Sequence, residues 1–148
     1  MTYIDRCYLV KIISEEISQY INNNFTKSYK NYINNWESLS GSNYDLGGEL
    51  KIFTEKLKLN NMDVIIGKFK KGERLKNHYH KYPTEEIYFI LDGEAEVNIN
   101  GDIIIAKKGD ILSVKSEIPH FPKNIHEKLL WILFVLSPIE RSPLIILE

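Results

Sequence analysis

GERLKNHYHKYPTEEIYFILDG, residues 72–93, is the stretch whose reading decides the fold of this chain. Successive side chains of a β-strand point to opposite faces, so His78 and His80 leave the backbone on one face, about 7 Å apart, while Tyr79 points away. A proline-containing connection, Lys81 to Glu85, follows. The next strand opens with Glu86, runs through Ile87 to Leu91 and stops at the Asp92-Gly93 turn signal. With Glu86 turned toward the histidines, Tyr88 and Ile90 share its face.

A fourth ligand comes from GDILSVKSEIPHFPKN, residues 109–124. There Gly109-Asp110 turns the chain into Ile111–Val114, and the Ile118-Pro119 bend delivers His120. His78, His80, Glu86 and His120 together make a first shell for one divalent metal ion. Neutral imidazole plus carboxylate suits iron, manganese, nickel, zinc or copper without distinguishing among them.

The two stretches resemble the paired motifs of the cupin family, G-x5-H-x-H-x3 or 4-E-x6-G and G-x5-P-x-G-x2-H-x3-N. Gly72, His78, His80, Glu86 and Gly93 match the first, with a loop before Glu86 one residue longer than the commonest form. Gly109, His120 and Asn124 match the second, whereas Lys115 and Glu117 stand where the family usually has proline and glycine, in the turn before His120. Glu85 would satisfy the shorter loop. Only Glu86 leaves six residues before Gly93 and directly precedes the apolar strand, which assigns Glu86 with Glu85 as the alternative. The resemblance covers roughly residues 46 to 138. It implies an all-β fold, the double-stranded antiparallel β-helix or jelly-roll barrel of cupins, holding a metal.

The rest of the chain agrees. With 148 residues and 43% hydrophobic content there is material for one ordinary domain and not for two independent cores. A net charge of −1 supplies neither a basic patch nor a strongly acidic face, so neither nucleic acid nor a membrane surface is an expected partner. Cys7 is the one cysteine and cannot form an internal disulfide, and the first residues carry Asp5 and Arg6 without a signal-type apolar stretch, so a cytoplasmic protein is expected. The apolar run Leu129–Leu136 falls far short of the ~20 residues of a spanning helix and reads as a buried strand.

The pattern changes after residue 40. Before it, Ile13, Ile17, Ile21, Phe25, Tyr29 and Ile33, with Tyr32 and Trp36, recur at helical spacing, and Ser14-Glu15-Glu16 suits a helix start. Residues 1–45 are therefore expected to be an N-terminal helical extension that packs on the barrel or on a partner subunit, with a homodimer as the expected assembly. From residue 46 to 148, the barrel, strands are expected at 50–59, 63–69, 74–80, 86–91, 95–99, 103–106, 111–114, 119–122 and 129–136. Asn60-Asn61, Lys71-Gly72, Asp92-Gly93, Asn100-Gly101 and Lys108-Gly109 separate most of them.

Three neutral imidazoles and one carboxylate around M²⁺ leave a net charge of +1, and six-coordination would leave two positions open. Such a centre favours a small oxygenated or carboxylate metabolite as substrate, and chelation acidifies the neighbouring C–H. The leading expectation is an isomerase, epimerase or lyase working through an enediolate or carbanion. Tyr88, its pKa lowered by the dication, would exchange the proton, and Lys76, on the His78 face, would bind a substrate carboxylate or phosphate. Two alternatives use the same ligands: a non-haem Fe(II) dioxygenase walled by Phe89 or Phe121, Trp131 and Phe134, and a non-catalytic barrel that binds a metal or small ligand.

Overall fold

All five expected turn signals separate strands in the computed structural model. The structure describes Trp36 and residues 46–55, 57, 59–140 and 144–148. The amphipathic stripe expected over residues 1–45 lies, Trp36 apart, outside the described residues.

In chain order the strands are β1 Glu49–Ile52, β2 Asp63–Phe69, β3 His78–Tyr79, β4 Glu85–Asp92, β5 Glu94–Ile99, β6 Asp102–Lys107, β7 Ile111–Val114, β8 His120–Lys123, β9 Leu130–Ser137 and β10 Ile145–Ile146. They form two five-stranded sheets, ordered β1-β2-β9-β4-β7 and β10-β3-β8-β5-β6, with every pairing antiparallel. Apart from the β1–β2 and β5–β6 pairs, strands adjacent in sequence cross from sheet to sheet, as in a jelly roll.

The core lies between the sheets because depth alternates along each strand. In β9, Leu130, Ile132, Phe134 and Leu136 are buried and the residues between them are less so. In β4 the buried set is Glu86, Tyr88 and Ile90, and in β5 it is Ala95 and Val97. Leu50, Phe69 and Leu75 complete the same apolar cluster.

The β5–β6 hairpin shows why its turn needs Asn-Gly. Asn100 and Gly101 both have positive φ, 52° and 94°, the conformation a two-residue hairpin turn requires, and Asn98 Oδ1 accepts the Gly101 N–H at 2.9 Å. Gly93, at φ 85°, sits where a Cβ would lie 2.6 Å from the Leu129 carbonyl oxygen, so the turn admits no side chain.

Three strand expectations change. β1 ends at Ile52 rather than Leu59, because Thr54 Oγ1 donates to Asp63 Oδ1 and accepts the Val64 N–H, turning the chain back toward β2. The strand expected over 74–80 contracts to β3, preceded by an isolated bridge between Arg74 and Lys123. β10 was not foreseen; its pairing partner is β3. No helix among the described residues is long and apolar enough to cross a membrane.

Candidate metal centre

His78 and His120 are register partners across β3 and β8, so their side chains stand on one face as cross-strand neighbours, with ring centroids 4.6 Å apart. His80 follows directly after β3, its ring centroid 5.1 Å from that of His78 and 5.5 Å from that of His120. Glu86 arrives from the opposite sheet on β4, between Val114 of β7 and Leu136 of β9. All four side chains are buried, and one ligand atom from each lies within 4.8 Å of the others.

Glu85 is not part of the centre. Its side chain is 54% exposed and pairs with Lys115 Nζ at 3.1 Å. Of the two carboxylates, Glu86 is the one buried with the three histidines.

Each imidazole is held through Nδ1. A carbonyl oxygen only accepts, so Nδ1 of His78 and of His120 carries the hydrogen donated to Lys76 O and Ile118 O, each at 2.7 Å. Their Nε2 atoms are thereby left as the ligating atoms. His80 Nδ1 donates to Glu140 Oε2 at 2.8 Å. On the inner side Glu86 Oε2 lies 3.0 Å from His80 Nε2 and 2.7 Å from His120 Nε2. Neighbouring ligand atoms around a metal with bonds near 2.1 Å are about 3 Å apart, so the contacts already have the spacing of a coordination shell. The donor set, its burial and the fixed tautomers fit a divalent metal.

Electrostatics reflect a carboxylate among rings. Burial acts to raise the Glu86 pKa, but hydrogen bonds from His120 and His80 and their charges outweigh it and hold it at about 2. Burial, then the neighbouring His120, lowers His78 to about 4. For His80 burial also lowers, yet the hydrogen bonds and charges of Glu86 and Glu140 win and raise it to about 8.

Tyr88 is fully buried two residues after Glu86, its ring edge-on to Phe134 at 4.8 Å and 5.8 Å from the His120 ring. Its hydroxyl has no hydrogen-bond partner among the described residues. In the protein without a metal, burial, followed by the Glu86 charge, pushes its pKa well above 10.0.

The Lys76 carbonyl accepts the His78 Nδ1–H. Leu75 and His78 are both buried and Lys76 is half-buried, so strict alternation does not run through this stretch. Among the aromatics expected to wall the pocket, Phe134 is buried in the core, while Trp131 lies on the alternate positions of β9 with Lys68 Nζ 5.6 Å from its ring centre. Phe89 alternates with Tyr88 and is only partly buried, and Phe121 carries the Arg74 guanidinium at 4.7 Å.

Asn124 has a structural job. Its Nδ2 donates to Phe69 O and Lys128 O and its Oδ1 accepts the His126 N–H, all at 2.9 Å, which ties the end of β2 to the entry of β9. Glu140 went unforeseen because no local pattern marks it; its partner His80 is 60 residues upstream.

Residues 65–136 match the family model described as Cupin domain. A protein named polyketide synthase CurC, from Streptomyces cyaneus, is 29% identical over 72 residues, covering 49% of this chain and 46% of its own. An uncharacterized protein of Methanocaldococcus jannaschii is 35% identical over 54 residues, 36% of this chain and 42% of its own. The chain thus spans less than half the length of these curated relatives. Among solved structures, a predicted oxalate decarboxylase from Thermotoga maritima superposes with TM-score 0.58 at 25% identity, covering 70% of this chain and 96% of that one. A cupin-like protein from the same organism gives TM-score 0.59 at 22% identity, covering 73% and 84%. Motif residues, two-sheet topology, buried ligand cluster and matched family model agree, and the barrel of this chain belongs to the cupin family.

Proposed function

We propose that the protein is a divalent-metal-dependent enzyme acting on a small oxygenated or carboxylate metabolite, and that of the isomerase, epimerase and lyase chemistries open to it the lyase type fits best. The observation that carries this reading is Tyr88: a fully buried hydroxyl without a partner, on the inward face of β4 beside the ligand Glu86.

His78, His80, Glu86 and His120 would hold the metal, which as a Lewis acid would polarise a substrate oxygen and stabilise negative charge next to it. Burial pushes the Tyr88 pKa up in the protein without its metal. A protonated phenol at this position can donate a hydrogen bond and act as an acid. A lyase that expels carbon dioxide leaves the bonding electron pair on carbon, and the carbanion so formed takes up one proton, which Tyr88 Oη can supply and recover from solvent once the product has left. Ile90, Ile132 and Phe134, fully or almost fully buried around Tyr88, keep the surroundings apolar and strengthen such a hydrogen bond. The likeness to a predicted oxalate decarboxylase supports the same direction.

The test is turnover of small dicarboxylic, 2-keto and 2-hydroxy acids by protein loaded in turn with Mn²⁺, Fe²⁺, Ni²⁺, Zn²⁺ and Cu²⁺, in D₂O, with product carbon–deuterium bonds read by NMR. Metal-dependent release of carbon dioxide with one solvent deuteron per product supports the lyase. Turnover that requires O₂ would replace it with the dioxygenase, and tight binding of every acid without turnover would replace it with a binding barrel.

A further inference from the structure

The three imidazoles are not held in the same way. His78 and His120 each donate Nδ1–H to a carbonyl two residues upstream, so each is oriented by its own backbone. His80 is oriented from a distance, by Glu140, whose side chain is 11% exposed beside a His80 side chain 5% exposed. Glu140 is itself steered: its Oε1 accepts the Lys81 N–H at 3.3 Å, and just before it the Pro138 carbonyl accepts Thr84 Oγ1 at 3.0 Å. Further along, β10 pairs with β3, and Glu148 accepts hydrogen bonds from Asn77 N and both terminal nitrogens of Arg74. The segment after β9 thus grips both ends of the stretch that carries His78 and His80.

Resting on the reading of the four-residue cluster as a metal centre, we propose that Glu140 is a positioning residue for that centre: it fixes the tautomer and ring orientation of His80 and thereby makes metal retention depend on the segment that follows the last barrel strand. The physical basis is the hydrogen-bonded carboxylate behind a ligating histidine. It presents Nε2 to the metal, removes the cost of ordering the ring on binding, and raises ligand basicity. Its loss commonly weakens metal affinity about 10- to 100-fold.

The experiment measures Zn²⁺ affinity by competition with a chromophoric chelator, and the visible absorption spectrum of the Co²⁺-loaded protein, for wild type, Glu140→Ala, Glu140→Gln and Glu148→Ala. Melting of the chelator-treated proteins checks that each is folded. Glu140→Ala should bind Zn²⁺ about 10- to 100-fold more weakly, with an altered Co²⁺ spectrum. Glu140→Gln, whose amide oxygen still accepts from Nδ1–H, should recover a large part of the loss. Glu148→Ala grips the same stretch without touching a ligand and should stay within about threefold of wild type. Equal Zn²⁺ affinity and an unchanged spectrum in Glu140→Ala overturn the inference, as does an equally large loss in Glu148→Ala. A wild type that takes up neither ion sinks the metal centre itself, whereas metal binding that is indifferent to Glu140 sinks this inference alone.

Discussion

His78 and His120 face each other in register across β3 and β8, so one antiparallel pairing converts two distant motifs into adjacent ligands. Glu86 meets them from the other sheet, and the centre exists only where the two sheets close on one another. Metal binding and barrel closure are therefore linked, since an ion that binds only the folded chain stabilises it by mass action.

Removal of one ligand should separate coordinating from peripheral groups. His120→Ala should lose most bound metal and, with it, the rise in melting temperature that metal confers; Lys76→Ala should retain both, because the main-chain carbonyl that orients His78 survives the substitution. Elemental analysis of protein purified without a chelating column reads the first and calorimetry the second. Equal metal content in wild type and His120→Ala would remove the second motif from the centre.

Tyr88→Phe should split stability from activity. A buried hydroxyl without a partner costs on the order of 1 kcal/mol or more, so the chelator-treated variant should be more stable by about that amount in urea. Substrate affinity should persist while kcat drops roughly 10²-fold, because the acid is gone. Undiminished kcat would dismiss Tyr88 as the proton donor.

The chelator-treated protein should be most stable near pH 6.5, with losses on both sides. His80, raised from 6.5 to about 8, contributes stability that is complete below 6.5 and lost as pH rises through 8. His78, lowered from 6.5 to about 4, stays neutral while the unfolded chain takes up a proton, so stability falls as pH drops from 6.5 toward 4. Glu86, depressed from 4.5 to about 2, adds a further loss as pH falls below 4.5. Urea midpoints across this range provide the measurement, and a midpoint that climbs steadily above pH 6.5 would contradict the His80 assignment.

Asn124→Ala should destabilise the barrel by roughly 2–4 kcal/mol, since it strands the Phe69 and Lys128 carbonyls and the His126 N–H together. Denaturant unfolding measures it. A change under about 0.5 kcal/mol would show that water replaces all three bonds.

Glu117→Gly should leave the protein equally or more stable, by up to about 1 kcal/mol. Glu117 stands at a motif position where the family usually has glycine, and it adopts φ 66°, in the left-handed region, while its N–H donates to His80 O at 2.7 Å. The turn before His120 thus forms without the glycine, at a conformational cost that the substitution relieves. A clear fall in the melting temperature of Glu117→Gly would mean that the glutamate side chain stabilises the turn.

Local chemistry was enough to read a good part of this protein. Alternation in Glu86–Ile90 and in Leu130–Leu136, together with the glycine and asparagine turns, marks half-buried strands because a pleated backbone presents alternate residues to a core. The spacing of His78, His80, Glu86 and His120, read with the resemblance to the cupin motifs, marks the candidate ligands, and Glu86 rather than Glu85 follows from the six residues it leaves before Gly93 and its place directly before the apolar strand. Only the tertiary structure decided what lies beyond a strand's own period. Leu75 and His78 are both buried although they stand an odd number of positions apart, so alternation alone does not set the face of Lys76. Trp131 and Phe134 sit on alternate positions of one strand, although hydrophobicity alone makes them equivalent. The Tyr88 hydroxyl is buried without a partner, which raises its pKa, and Glu140 reaches His80 across 60 residues. Parity and turn chemistry act between neighbours in sequence, whereas burial, desolvation and remote hydrogen bonds arise only when both sheets and the segment after β9 have closed around the centre.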